Sequence, residues 1–302
     1  MSDDSSIYRG RFAPSPTGPL HFGSLVAAVG SFLQARANDG KWLVRIEDID
    51  PPREVAGAAD DILRMLERFG LHWDETVTYQ STRTDAYREA IEQLRRAGSV
   101  YPCGCSRREI ADSSLRGSDG LVYPGTCRHG LTPGRSPRAL RVRTDGSRIE
   151  FNDRWQGRFE SDLEREVGDF VVHRADGCFA YQLAVVVDDS MQGITEVVRG
   201  ADLLLSTPRQ LHLQRLLGFL APAYAHLPAA VNAAGEKLSK QTGARSIAGE
   251  PVVPLLVEAL RFLGQRVPVP ADADDLNELW RVAISAWNAE QVPRVRSASA
   301  RT

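Results

Sequence analysis

The chain has almost no net charge. Its 37 Lys and Arg against 39 Asp and Glu leave −2 at pH 7. Binding to a polyanion through bulk charge is therefore excluded, and any RNA contact must use a local basic patch. No apolar run is long enough to span a bilayer. The opening Met1-Ser2-Asp3-Asp4-Ser5-Ser6 is acidic and polar, wrong for a secretory leader. The expectation is a cytoplasmic protein with no membrane partner. Cysteine is scarce, four in 302 residues. Three fall close together, Cys103, Cys105 and Cys127, and in a reducing compartment such a cluster reads as metal before disulfide. Cys178 stands apart and is expected to be a buried small hydrophobe. There are no internal repeats. Neither a G-x-x-x-x-G-K-[ST] phosphate loop nor a G-x-G-x-x-G dinucleotide fingerprint is present at the N-terminal turn where one would be sought. What remains is an ordinary globular composition, 42% hydrophobic and 25% charged, sufficient for one large domain or two small ones.

The chain is organised around Arg11-Phe12-Ala13-Pro14-Ser15-Pro16-Thr17-Gly18-Pro19-Leu20-His21-Phe22-Gly23-Ser24. A strand over 7–12 breaks at prolines and a glycine, then enters a helix-periodic run with Leu25, Val29, Phe32 and Leu33 on its core face. Strand, kinked loop and helix start are the parts of a nucleotide-binding α/β fold. The free amides and dipole of the helix start attract phosphate, and His21 can add a donor there. Far downstream, Glu236-Lys237-Leu238-Ser239-Lys240-Gln241 is a compact cation cluster suited to neutralising charge on a transferring phosphate.

Between them, 41–46 reads as a second strand ending in Glu47-Asp48, and strand ends are where ligands sit in open α/β sheets. Helices are expected over 55–69, 83–97, 207–217, 251–264 and 274–288, with His72 and Trp73 as packing residues. From Tyr101 the texture becomes loop-rich. A C-x-C pair can place two thiolates on one ion, and three sulfurs need a fourth ligand for a closed tetrahedral site. By chemistry alone His129 is preferred to Tyr123. Residues 139–186 read as β-rich, including a strand over 180–187 that runs into Asp188-Asp189, beside the pocket. Tyr181 reads equally as core or ligand. The stretch 195–204 is a strand and turn bearing Arg199. The end, 293–302, is Arg/Ser/Ala-rich and expected to be disordered.

His21-Phe22-Gly23-Ser24 and Lys237-Leu238-Ser239-Lys240-Gln241 resemble the two signatures of class I aminoacyl-tRNA synthetases. Arg11 to Gly18 and Arg45-Ile46-Glu47-Asp48-Ile49-Asp50 narrow the resemblance to the glutamate-activating branch. Along nearly its whole length the chain is similar to the truncated paralogues of glutamyl-tRNA synthetase that attach glutamate to queuosine in tRNA(Asp). Ser24 departs from the consensus second His, and Leu238 and Gln241 from a Met and a Ser.

The resemblance implies a Rossmann-like, doubly wound parallel sheet in an α/β fold. Its catalytic domain would take 1–100 and 187–245, with a zinc-bearing α+β insertion over 101–186 and a short helical extension over 246–302. It implies ATP, L-glutamate and queuosine-bearing tRNA(Asp) as substrates, Mg²⁺ with the ATP, one structural Zn²⁺ and a monomer. Arg11 and Arg199 would hold the two carboxylates of glutamate, and Glu47 its ammonium. Phe12, Ala13, Pro14, Ser15 and Tyr181 would line its pocket. His21, Gly23, Ser24 and Lys240 would contact ATP, with His21, Lys237 and Lys240 serving the chemistry. Cys103, Cys105, Tyr123 and Cys127 would bind the metal, Tyr123 taking the place that chemistry alone gave His129. The segment after Gln241 is too short for an anticodon-reading domain, which disfavours ordinary charging of a tRNA 3′ end. A non-catalytic binding paralogue is the third reading, and it would be expected to lose His21 or Lys240.

Overall fold

Strand β1 (Arg9–Phe12) pairs in parallel with β2 (Lys41–Ile46), and β2 with the short β3 (Thr78–Tyr79). The computed structural model describes residues 7–117, 120–232, 234–238, 246–266 and 275–300. Helix α1 (Phe22–Arg36) crosses between β1 and β2. It is apolar on nearly every face because sheet and later helices cover it on all sides. Trp42 of β2 shows how this core closes. Its ring stacks on Phe12, meets Phe32 edge-on at 5.2 Å between centroids, and donates from Nε1 to Ser31.

Helices α2 (Ala58–Arg68) and α3 (Thr84–Arg96) follow, each with one buried stripe. The sequence expectation began the first at 55. The structure starts it after Gly57, whose φ of 78° is a left-handed turn that no helix continues through. His72 is exposed, its carbonyl accepting from Arg36, so it is not a packing residue; Trp73 is.

Strand β4 (Val100–Cys103) leads into α4 (Arg107–Ser113), which Ser106 and Glu109 close with a capping box, and then the β5 (Leu115–Gly117) and β6 (Gly120–Val122) hairpin. Strand β7 (Ala139–Val142) lies between β4 and the later β10 (Val171–His173) in an antiparallel sheet. Strands β8 (Arg148–Asp153) and β9 (Gly157–Asp162) make a hairpin, followed by the single turn α5 (Leu163–Glu166).

The expected strand over 180–187 is a helix, α6 (Tyr181–Met191). The run Leu183-Ala184-Val185-Val186-Val187 is buried on all sides by α3, α7 (Thr207–Leu217) and apolar residues of β7, β8 and β10, so it shows no helical stripe, and a short apolar run has no period to separate strand from helix. Asp188 and Asp189 are accordingly buried in a helix rather than ending a strand. Cys178 is half-buried, not core.

Strands β11 (Glu196–Gly200) and β12 (Ala223–Leu227) are parallel neighbours, and β12 continues to β8. A backbone bond from Thr195 to the Arg9 carbonyl, 2.9 Å, sets β11 beside β1. This makes the crevice between β1 and β11 the place where the two halves of the parallel sheet diverge. Strand β13 (Ala229–Val231) leads towards the lysines. Helices α8 (Val252–Phe262) and α9 (Leu276–Ala286) pack back onto α1. The expected disordered end instead forms β14 (Ser297–Ser299), parallel to β13. Its side chains are small and largely exposed, so composition missed a segment held by backbone pairing rather than burial. No helix among the described residues is long and apolar enough to cross a membrane.

Phe32 bridges the sheet and the C-terminal helices, 4.9 Å from Trp280 as well as 5.2 Å from Trp42. Phe32→Ala is expected to lower unfolding free energy by about 3–5 kcal/mol, read from urea denaturation. A loss below about 1 kcal/mol would show that α9 does not lean on this ring.

Candidate active site

A cavity of about 680 Å³ opens beyond the carboxyl ends of β1, β2 and β11, bounded on one side by the start of α1. Every described residue expected to bind substrate lines it: Arg11, Phe12, Ala13, Pro14, Ser15, His21, Gly23, Ser24, Glu47, Tyr181, Arg199 and Lys237. The sequence places them up to 226 positions apart, and the crossing of β1 with β11 is what brings them together. Lys240, with Ser239 and Gln241, lies outside the described residues.

The loop after β1 is fixed by its backbone. Pro14 O accepts from Glu47 N at 3.0 Å and Pro16 O from Val55 N at 3.0 Å, while Gly18 takes φ 131°, open only to glycine. His21 caps α1: its Nδ1 accepts from the Ser24 amide at 3.2 Å, and Ser24 Oγ lies 3.1 Å from Nε2. With Nδ1 an acceptor, the neutral ring carries its proton on Nε2, the one position from which it can donate. A Cβ on Gly23 would stand 3.2 Å from this ring, so the glycine gives the imidazole its seat. Lys237 Nζ contacts Asp202 Oδ2 at 2.6 Å.

The floor is a buried ion cluster. Arg11 reaches Asp189 with Nε at 3.1 Å and Nη2 at 3.4 Å. Arg45 approaches the same carboxylate at 2.8 Å and Glu47 at 3.5 Å. Asp188 accepts from Gln80 at 2.8 Å and Tyr87 at 2.7 Å, and pairs with Arg83 at 2.5 Å. Burial pushes the Asp189 carboxyl up, but Arg11 and Arg45 outweigh it and hold Asp189 below the usual carboxylate range. Burial dominates at Glu47, pushing its carboxyl to about 7 against the pull of Arg45 and Arg11. Sequence reasoning set Asp188 and Asp189 beside the pocket without giving either a role, and it left Arg45 out of the site. The available signal was a charge inside each of two otherwise apolar runs, since an unpaired buried charge is too costly to keep.

Arg199 is held differently. Its Nε donates to His226 Nε2 at 3.0 Å, Nη1 to Tyr181 Oη at 3.4 Å, and Nη2 to Thr207 Oγ1 at 2.9 Å and Gln210 Oε1 at 2.8 Å. Among the described residues no carboxylate lies within 4.0 Å of it. An arginine that is 5% exposed and ringed by neutral acceptors keeps its charge for an anionic ligand.

Away from this cavity, the Sγ atoms of Cys103, Cys105 and Cys127 lie within 4.8 Å of one another, Cys105 and Cys127 at 3.6 Å. Tyr123 Oη lies 3.4 Å from Cys103 Sγ and 3.5 Å from Cys105 Sγ, whereas His129 is exposed and does not join the cluster. Tetrahedral coordination with arms of about 2.3 Å requires sulfurs roughly 3.8 Å apart, and these donors fit.

Residues 8–253 match the family of tRNA synthetases class I (E and Q), catalytic domain. The chain belongs to that family, and within it to the glutamyl-Q tRNA(Asp) synthetases. It is 60% identical over 301 residues to the glutamyl-Q tRNA(Asp) synthetase of Aromatoleum aromaticum, covering 99% of this chain and 95% of that one. It is also 60% identical to that of Dechloromonas aromatica, covering 96% and 97%. A solved glutamate tRNA ligase from Elizabethkingia meningosepticum, in complex with its amino acid, superposes with TM-score 0.79 at 25% identity, covering 97% of this chain and 67% of the ligase.

The raised Glu47 carboxyl has a consequence for stability. An ordinary glutamate titrates near 4.5 and this one near 7, so between those values the folded state holds a proton that the unfolded state has released. Stability from this group is therefore full below about 4.5 and is lost as pH rises through 7. Glu47→Gln removes the loss. The unfolding free energy of the variant minus that of the parent is expected to grow by on the order of 1–3 kcal/mol between pH 5 and 8, from urea titrations at each pH. A flat difference would contradict the buried, mostly neutral carboxyl.

Proposed function

We propose that this protein activates L-glutamate with ATP to glutamyl-adenylate and passes the glutamyl group to the queuosine base of tRNA(Asp). The observation that carries the activation step is the pair of buried guanidiniums, Arg11 and Arg199, set in one cavity that begins at the α1 N-terminus. The acceptor follows from relatives at 60% identity that are named for it.

Glutamate brings two carboxylates and one ammonium. Arg11 and Arg199 offer planar forks to the carboxylates, a match a lysine would not make. The ammonium takes its place beside Glu47, and its charge returns that carboxyl to the ionised form. Tyr181, whose hydroxyl already meets Arg199, walls the side-chain end. The free amides at the start of α1 face the phosphates, with the imidazole of His21 beside them. Lys237 and Lys240 balance the charge that builds on the departing pyrophosphate, with Mg²⁺ as the counter-ion that ATP carries. The amino-acid carboxylate is itself the nucleophile at the α-phosphate, so activation calls for no general base; positioning and charge stabilisation supply the rate.

We assign the catalytic domain to residues 1–100 and 187–245, with 101–186 inserted between them, its last helix α6 running across the boundary and lending Tyr181 to the cavity, and 246–302 as a helical extension. Cys103, Cys105, Cys127 and Tyr123 would hold one zinc ion, which supplies a crosslink for a segment with few apolar residues of its own.

The activation reading predicts glutamate-dependent ATP–pyrophosphate exchange that disappears with Arg199→Ala. Transfer should follow to tRNA(Asp) carrying queuosine and not to the same tRNA lacking it. Exchange with no transfer to the modified tRNA, but with charging of tRNA(Glu), would move the acceptor to the 3′ end. No exchange would leave a binding paralogue.

Elemental analysis is expected to find one zinc per chain. Cys127→Ser should abolish it and lower the melting temperature, Tyr123→Phe should speed its loss to a chelator, and His129→Ala should leave it in place. Retention in Tyr123→Phe with loss in His129→Ala would reverse the fourth ligand.

A further inference from the structure

Behind Arg199, out of the cavity, lies a second buried ionic group that the reaction does not touch. His226 of β12 is the register partner of Arg199 on β11, so the two side chains share a face. His226 is fully buried and does not line the cavity. Its Nδ1 lies 2.5 Å from Asp153 Oδ2, and its Nε2 accepts from Arg199 Nε at 3.0 Å. Thr207 Oγ1 accepts from Arg199 Nη2 and sits 3.3 Å from the same Nε2, leaving its own proton to point there. Nε2 therefore faces two donors and must be the bare nitrogen. The proton is on Nδ1, directed at Asp153.

Asp153 is itself locked. Its Oδ1 accepts from the amides of Trp155, Gln156 and His226 at 3.1, 2.9 and 3.1 Å, so Oδ2 has one direction left. Tyr224 covers the assembly, its ring parallel to His226 and 5.5 Å from the Arg199 guanidinium carbon. The histidine is neutral: burial pushes it down to about 4, and Arg199 adds to this against the pull of Asp153.

We infer that Asp153 and His226 are positioning residues for amino-acid selection: they fix the rotation of the Arg199 fork towards the substrate carboxylate while keeping a competing carboxylate one imidazole away. This rests on the reading of Arg199 as a glutamate ligand. A direct Asp153–Arg199 pair would neutralise the guanidinium and compete with the substrate. The interposed ring transmits orientation through a hydrogen bond and leaves the charge available.

Asp153→Asn tests the tautomer. Asn Oδ1 can keep the three backbone amides, which leaves Nδ2–H₂ against His226 Nδ1. The ring must then carry its proton on Nε2, facing the Arg199 N–H. In ATP–pyrophosphate exchange the glutamate KM is expected to rise by about tenfold or more, with the ATP KM within about twofold of the parent. His226→Phe should behave alike. His226→Gln, which can return an acceptor to Arg199, should recover at least about a third of the lost affinity. Imidazole ¹⁵N spectra should show His226 protonated on Nδ1 in the parent and on Nε2 in Asp153→Asn. An unchanged glutamate KM in folded Asp153→Asn, a joint rise of both KM values, or equal effects of Gln and Phe at 226 would each overturn the proposal. If Asp153→Asn does not fold, the His226 pair decides it. If the unaltered protein shows no exchange, the activation reading falls instead, and the ¹⁵N spectra of the parent still decide the tautomer: a proton on Nε2 would overturn it.

Discussion

Asp189 is the carboxylate on which the site hangs. It receives Arg11 from the end of β1 and Arg45 from β2, and it belongs to α6, an element that arrives in the chain after the whole cysteine-bearing segment. Each of the three charges would be costly alone in the interior, and removing one strands the others. The cluster therefore specifies a geometry more than it adds stability: α6 can dock in one register against the sheet. Tyr181 occupies the first turn of the same helix, so the contact that seats Asp189 also sets where the cavity ends. Asp188, one residue earlier, turns to Gln80, Arg83 and Tyr87 and ties the helix to the opposite side.

Much of this was legible before any coordinate. The strand, kinked loop and helix start at 9–36 announce themselves through punctuation: three prolines, a glycine, then a helical period. Glu47 stood out because it ends a strand, and the family resemblance gave it its role. What stayed hidden did so for physical reasons. Val185-Val186-Val187 looks extended because β-branched residues favour strands when nothing else decides, and full burial erased the stripe that would have declared a helix. Ser297-Ala298-Ser299 looks unstructured because its structure is a backbone ladder that leaves no mark on side-chain choice. Tyr123 could not be preferred to His129 from donor chemistry; the family resemblance chose it, and the fold buries the tyrosine among the thiols and leaves the histidine exposed.

The two arginines facing the cavity differ in what stands behind them, and that difference bears on selectivity. Arg11 arrives already paired with Asp189, and it shares that carboxylate with Arg45. The local balance is still positive when Glu47 is protonated, enough to draw an anion but softened by the pair. Such a site suits the α-carboxylate, common to every amino acid, where strong preference among side chains is neither needed nor possible. Arg199 has only neutral acceptors around it. A glutamine amide entering there would leave a buried guanidinium facing a dipole, with its charge unanswered. A glutamate carboxylate would answer that charge, accepting from the Nη1 proton that Tyr181 leaves over, in a setting where charge is poorly screened. Under the proposed function, rejection of the amide would come from the interaction it fails to complete, and such discrimination is large where the site's own group is left unsatisfied. The placement of a neutral histidine between Asp153 and Arg199 would be the structural condition for that penalty. With a carboxylate in its place the guanidinium would be content without substrate, and the difference between acid and amide would shrink.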